Sequence, residues 1–235
     1  MDFRVIMFFV SAFVAYGMIV QPLLVGVMLT VGLLSYSWTQ RTHLDIKMDN
    51  EITSDGYRDV AIPIDRLLGM RSVFALSLGL FILPIPIYFM FYDSTQFSDT
   101  FLRWQTLILA FPAVIFFIAM HELTHALGWM VFGRLSWSTI SFGIDRKTFS
   151  PYAHANMPMP ARAYRIGAAL PSITTGLLPI CWGLFTGNGA ITVLGAFLLS
   201  AAVGDFVVLW IIRHVPADAL VRDHPEKAGC LVKIE

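Results

Sequence analysis

The chain has 235 residues, of which 57% are hydrophobic and 14% charged, and its 16 basic and 16 acidic side chains cancel. An ordinary soluble domain is roughly 25% charged, so the composition excludes that class as well as a disordered chain. The balanced charge offers no basic surface for a polyanion, and we expect no nucleic-acid partner. The sequence predicts a membrane protein that is surrounded by a lipid bilayer.

The N-terminal run, residues 5–38, has no charged side chain. As one straight helix it would be about 51 Å long at roughly 1.5 Å per residue, whereas a bilayer core is about 30 Å thick. Pro22 lies near its middle and would break or kink a helix. We therefore expect residues 1–38 to form an N-terminal membrane segment of one long or two short helices. Residues 39–72 would follow as a cytoplasmic loop.

Four further apolar stretches reach the length of about 20 residues that a spanning helix needs: residues 73–92, 104–133, 166–185 and 191–212. Residues 138–144 are β-prone, residues 145–147 could form a turn and residues 151–154 could return as a second strand, which predicts a hairpin in the loop 134–165. The expected fold is an all-α polytopic membrane protein, a bundle of five or six transmembrane helices with a small cytoplasmic β-hairpin and loops. Residues 73–212 would form its four-helix core and residues 213–235 a cytoplasmic tail.

The basic residues predict the orientation of these spans. Fourteen of the sixteen lie in residues 39–72, 134–165 and 213–235, while only Arg103 lies between spans on the opposite side. Loops rich in Lys and Arg stay in the cytoplasm. We therefore expect both large loops and the C-terminus to face the cytoplasm.

A metal-binding pattern lies inside the second of these stretches. His121, Glu122 and His125 match the pattern HExxH. Residues four apart lie on one face of a helix, so both imidazoles can bind one zinc ion while Glu122 acts as the general base. Ionisable groups at membrane depth cost at least about 2.5–3.5 kcal/mol, which favours a functional interpretation over a structural polar pair.

A catalytic zinc ion usually has a third protein ligand, and depth in the membrane favours Asp205. It is the only acidic residue besides Glu122 in the four core stretches, and it lies about as far from its cytoplasmic boundary as His125 does. Gly204 beside it would allow close approach of the helix. Other candidate ligands lie in the loops and the tail: His154, His214, Asp223 and His224.

The motif His121–Gly128 resembles the active-site helix of the site-2-type intramembrane zinc metalloproteases. The chain resembles more closely a family of small bacterial integral-membrane proteins described as putative zincin peptidases. Three further features carry that resemblance, which covers about residues 66–232: the loop 151–160 with the segment after it, Gly204-Asp205, and residues 221–225 with Gly229. The resemblance implies a metallopeptidase of the bacterial inner (plasma) membrane. In site-2-type proteases a β-element beside the site receives an extended substrate.

The leading hypothesis is a zinc-dependent intramembrane or membrane-proximal endopeptidase that acts on a membrane-protein or peptide substrate. His121, His125 and Asp205 would hold Zn²⁺, Glu122 would take the proton of the attacking water, and His154 or Asn156 could stabilise the oxyanion. One alternative is a non-proteolytic metal-binding scaffold or regulator, for which Glu122 would be unnecessary. Another is a cation transporter, for which further polar groups along the spans would be expected.

Overall fold

The computed structural model describes residue 52, residues 56–145 and residues 150–234. The predicted N-terminal membrane segment (residues 1–38) and most of the loop before residue 56 lie outside these residues. So does the predicted hairpin turn, in which residues 146–149 are not described.

The described part contains four helical segments that are long and apolar enough to cross a membrane: Arg71–Phe89, Trp104–Gly133, Ala161–Thr186 and Gly189–His214. They coincide with the four predicted core spans, whose helical character is thereby confirmed. The predicted bundle of five or six transmembrane helices includes one or two helices from residues 1–38, which are not described. Among the described residues there are four candidate spans.

Three of the four spans consist of shorter helices in series, and only Trp104–Gly133 is a single helix. The helices are α1 (Ile64–Leu68), α2 (Arg71–Ile82), α3 (Pro84–Phe89), α4 (Ser94–Phe101), α5 (Trp104–Gly133), α6 (Ala161–Pro171), α7 (Leu178–Thr186), α8 (Gly189–Ala201) and α9 (Val203–Ile211). Short 3₁₀ turns, Trp137–Thr139 and Ile212–His214, follow α5 and α9.

Each interruption has a local cause. Pro84 and Pro86 begin α3, and a proline lacks the backbone donor that a continuing helix uses. A π-helical segment, Ser172–Leu177, joins α6 to α7 between Pro171 and Pro179. Such wide turns occur mostly as single insertions in α-helices and often at functional sites. The last span is interrupted at Ala202, whose ψ of 7° departs from helical geometry.

A four-stranded antiparallel sheet corrects the predicted all-α fold. Its strands are β1 (Tyr57–Pro63), β4 (Met159–Pro160), β5 (Leu220–Asp223) and β6 (Lys227–Lys233), in the order β1-β6-β5-β4. Strand β1 lies in the predicted loop 39–72, and β5 and β6 lie in the predicted tail 213–235, so the sheet is an element that the sequence does not predict. The middle four residues of both β1 and β6 are buried, so neither strand shows the alternation of apolar and polar residues that reveals a strand with one wet face.

The predicted hairpin is confirmed. Strands β2 (Ile140–Ile144) and β3 (Pro151–Ala155) pair antiparallel, with Ile140 opposite Ala155 and Ile144 opposite Pro151. The hairpin forms a separate two-stranded sheet, and β3 lies against α5. This contact brings the hairpin beside the helix that carries the HExxH motif.

The core joins the four-stranded sheet to the neighbouring ends of the helices. Its buried members come mainly from the strands, from α5, α6 and α9 and from the 3₁₀ turn after α9, and include Val60, Trp129, Ile212, Val221 and Cys230. A tight contact between α5 and α6 lies next to this core. There, a Cβ atom added to Gly128 would lie 2.7 Å from the Cα atom of Gly167. The two helices therefore approach each other at a distance that only glycine permits.

Candidate metal centre

The two histidines of the motif and one aspartate converge at the middle of the helical core. The Nε2 atom of His121 lies 3.1 Å from Oδ2 of Asp205, and Nε2 of His125 lies 3.5 Å from Oδ1 of the same carboxylate. One potential ligand atom from each residue lies within 4.8 Å of the others. Within the described residues, this is the group whose spacing suits a metal ion.

Hydrogen bonds on the opposite sides of the rings fix how the imidazoles point. Nδ1 of His125 donates to the Gly167 carbonyl at 2.9 Å, so its Nε2 carries the free lone pair. Nδ1 of His121 lies 3.3 Å from the Thr175 hydroxyl, which itself donates to the Pro171 carbonyl at 2.8 Å. The Thr175 oxygen therefore accepts from Nδ1 of His121, and both Nε2 lone pairs face Asp205.

Asp205 reaches this position because the last span is interrupted just before it. The residue lies in the first turn of α9, and its backbone N–H donates to the carbonyl of Ala202 at 3.0 Å. A carboxylate is favoured in the first turn of a helix, where backbone N–H groups are free. The close approach predicted for Gly204 is not found among the described residues, since a Cβ atom there would meet none of their atoms within 4 Å.

This donor set fits a zinc ion. Two imidazole nitrogens and one carboxylate oxygen are ligands of the kind that catalytic zinc sites use, with bonds of about 2.0–2.2 Å. At that bond length, neighbouring ligands of a tetrahedral ion lie roughly 3.4 Å apart. The two N···O distances, 3.1 and 3.5 Å, bracket this value. His121, His125 and Asp205, whose potential ligand atoms lie within 4.8 Å of one another, are therefore the residues that would hold a zinc ion.

Glu122 lies beside the three potential ligands. It follows His121 on α5, is half-buried, and hydrogen-bonds with the backbone of Ala153 in β3. The carboxylate thus lies between the candidate metal centre and the hairpin. A group in that position can exchange protons with a molecule that lies against β3.

The other predicted site residues have different partners. Nδ1 of His154 lies 3.2 Å from Oδ2 of Asp223, and Nδ2 of Asn156 donates to the Ser141 hydroxyl at 2.7 Å. Nε2 of His224 lies 3.6 Å from Oδ2 of Asp59. Among the described residues, none of these three belongs to the metal-binding group. The suggested oxyanion roles of His154 and Asn156 stay predictions.

Sequence reasoning missed three supporting groups: the Gly167 carbonyl, the Thr175 hydroxyl and the Ala153 backbone. Two of these are backbone atoms, whose role depends on how helices and strands pack and carries no mark in the sequence. Thr175 had a visible signal, because Thr174 and Thr175 are adjacent polar residues within an apolar span.

A comparison with protein-family models identifies this region. Residues 114–220 match the model of a family described as "Putative zincin peptidase". This segment of the chain is similar to that family. The match confirms the predicted family over a narrower range than the expected residues 66–232, and it includes all three potential metal ligands and Glu122. No curated protein and no solved structure matches the chain.

Proposed function

We propose that the protein is a zinc-dependent endopeptidase that acts within or beside the membrane. His121, His125 and Asp205 would hold the zinc ion, and Glu122 would be the general base. The observation that carries the proposal is the convergence of both imidazole Nε2 atoms and the Asp205 carboxylate beside Glu122. The family match to a zincin peptidase supports the same chemistry.

Each residue has a distinct part in this reaction. A bound zinc ion would supply Lewis acidity, which activates water and polarises a carbonyl group. Gly167 and Thr175 hold the two imidazoles with Nε2 toward the ion, so that little ordering is needed when metal binds. Glu122 would take a proton from the attacking water and return it to the leaving amine.

The β2–β3 hairpin is the element that we expect to hold an extended substrate. The Asn156 N–H donates to the Thr139 carbonyl and the Asp145 N–H to the Ser150 carbonyl. Because bonded and non-bonded pairs alternate along an antiparallel ladder, the backbone groups of residues 151, 153 and 155 face away from β2. Glu122 lies beside these groups, so a peptide held by the hairpin would lie near the general base.

A transmembrane helix would have to unwind before it could bind there, because its peptide groups are already paired. Membrane-protein segments with weak helices, or peptides already extended, are therefore the substrate class that we propose. We place the protein in the plasma (inner) membrane of a bacterium with the four-stranded sheet on the cytoplasmic side. This orientation follows from the unequal distribution of basic residues.

The test uses the full chain, purified in detergent or nanodiscs, with its zinc content measured beside cleavage of peptides and membrane-protein segments. Glu122→Gln keeps the size of the side chain but removes the basic carboxylate, so cleavage should fall by at least 100-fold with zinc content unchanged. Asp205→Ala removes a ligand, so zinc content and cleavage should fall together. Glu226→Gln, in an exposed glutamate, is the matched control and should behave as wild type.

Two results would contradict the proposal. Cleavage that survives Glu122→Gln would show that this carboxylate is not the base. Stoichiometric zinc in the wild type without cleavage of any substrate, and without a difference between wild type and Glu122→Gln, would favour a metal-binding scaffold or regulator.

A further inference from the structure

Asp223, the last residue of β5, connects three elements through one carboxylate. Its Oδ1 atom accepts a hydrogen bond from the Tyr164 hydroxyl at 2.8 Å. Its Oδ2 atom lies 3.2 Å from Nδ1 of His154 and accepts from the Ala155 N–H at 3.4 Å. The side chain is only 13% exposed. The mechanism proposed above does not use this residue.

One set of these contacts holds the edge strand β3. The outward-facing backbone groups of β3 belong to residues 151, 153 and 155, as the hairpin pairing shows. Ala153 bonds to Glu122 at this edge, and Ala155 bonds to Asp223. Glu122 and Asp223 thus hold consecutive outward-facing positions of the same strand. The placement of β3 against α5 depends on both carboxylates.

The other contact leads to the metal centre through stacked rings. Tyr164, on α6, stacks on Trp129 with 5.9 Å between ring centroids and an interplanar angle of 8°. Trp129 stacks in turn on His125, at 5.5 Å and 17°. The Tyr164 hydroxyl also lies 3.1 Å from the Gly229 carbonyl. By fixing the Tyr164 hydroxyl, Asp223 fixes the end of a stack that finishes at a potential zinc ligand.

We propose that Asp223 is a positioning residue, which sets the separation between the β2–β3 hairpin and the metal centre. The inference rests on the proposed peptidase function. A carboxylate suits this place because it accepts from all three donors at once. Removing it would leave the Ala155 N–H without its acceptor and the Tyr164 hydroxyl with the Gly229 carbonyl alone, which favours a local rearrangement of β3 or α6.

The substitution Asp223→Asn should largely preserve the arrangement. An asparagine oxygen can accept from Ala155 and His154, while its NH₂ group donates to the Tyr164 hydroxyl, which in turn donates to Gly229. Asp223→Ala retains only the bond from the Tyr164 hydroxyl to the Gly229 carbonyl. Asp223→Asn removes the charge but keeps hydrogen-bonding groups in place, whereas Asp223→Ala removes both. Comparing the two variants therefore shows whether the hydrogen bonds or the charge of residue 223 matters.

The experiment compares Asp223→Ala and Asp223→Asn in the full-length protein loaded with zinc. We expect Asp223→Ala to raise KM for an extended peptide at least tenfold, with a smaller change in kcat, because the hairpin that Asp223 positions holds the substrate. Asp223→Asn should restore KM to within threefold of wild type. Asp218→Ala is the matched control, since Asp218 is 82% exposed and pairs with Arg162 at the surface.

Hydrogen exchange provides a readout that does not depend on catalysis. Asp223→Ala should speed amide exchange in residues 151–155 at least tenfold, and Asp223→Asn should not. If Asp223→Ala fails to fold, Tyr164→Phe provides the test. It removes the hydrogen bond from the Tyr164 hydroxyl to Asp223 but keeps the stacked ring, and zinc affinity should fall several-fold.

The outcomes separate the two proposals. Faster amide exchange in Asp223→Ala, in a protein that cleaves nothing, would support the positioning role of Asp223 and overturn the peptidase function. Wild-type KM and wild-type exchange in folded Asp223→Ala would overturn the positioning role, as would wild-type zinc affinity in Tyr164→Phe where only that variant folds.

Discussion

The contact between Gly128 and Gly167 allows a quantitative test of how helix packing supports the metal centre. In Gly128→Ala the new Cβ atom would lie 2.7 Å from the Cα of Gly167, against 3.4 Å or more for an ordinary contact. The helices must therefore separate by about 0.7 Å, the difference between these distances. The bond from Nδ1 of His125 to the Gly167 carbonyl, now 2.9 Å, would lengthen to as much as about 3.6 Å, beyond hydrogen-bond range.

Two effects should follow from this movement. Overpacking of a tight contact costs about 1–3 kcal/mol of stability, and loss of the bond that orients a histidine ligand lowers metal affinity about 10–100-fold. Zinc affinity is measured by competition with a chromophoric chelator, and stability by thermal unfolding in detergent. Gly204→Ala is the matched control, because its Cβ would meet open space beside Asp205. Equal zinc affinity in the two variants would refute the reasoning.

Three further predictions concern the sheet and the membrane orientation. Burial, together with Lys227, lowers the pKa of His224 below its ordinary 6.5 despite the nearby Asp59, Glu226 and Asp223. The unfolded chain therefore binds this proton more readily, and the unfolding midpoint should fall as pH drops below 6.5; an equal fall in His224→Gln would contradict this. Burial raises the pKa of Cys230 to about 12. At pH 8 its alkylation rate, measured by mass spectrometry, should therefore be roughly 100-fold or more lower in the folded protein than in the denatured protein. Similar rates in the two states would contradict this. In a cysteine-free background, an impermeant thiol reagent outside intact cells should label Ser98→Cys but not Asp218→Cys, and the reverse pattern would invert the proposed orientation.

The spacing of residues and the cost of charge in lipid make much of the helical core predictable. Spans of apolar residues appear directly in the sequence, and an ionisable group inside one of them needs a reason to be there. That cost alone singles out Glu122, His121, His125 and Asp205 among the ionisable residues of the chain. The fold brings the last three within 4.8 Å of one another.

Long-range pairing and backbone packing could not be predicted in the same way. Strand β1 pairs with β6 through contacts such as Val60 with Cys230, which are distant in sequence. Both strands are buried along their middles, which hides their periodicity. Gly204 shows the opposite error, because a glycine beside a ligand suggested a close helix contact that Gly128 and Gly167 make instead.

The pairing of β1 with β6 also sets the order of events while the protein is being made. Pro63 ends β1 and Lys227 begins β6, so all four described spans are synthesised between the two strands. Synthesis proceeds at about 5–20 residues per second, so roughly 8 to 33 s pass between the synthesis of β1 and that of β6. Among the described strands, β6 is the only one that pairs with β1. During that interval its apolar residues, Val60 and Ile62 among them, have no sheet to join. A nascent chain arrested before β6 should therefore be a target for chaperones and proteases on the side of the membrane where the sheet forms.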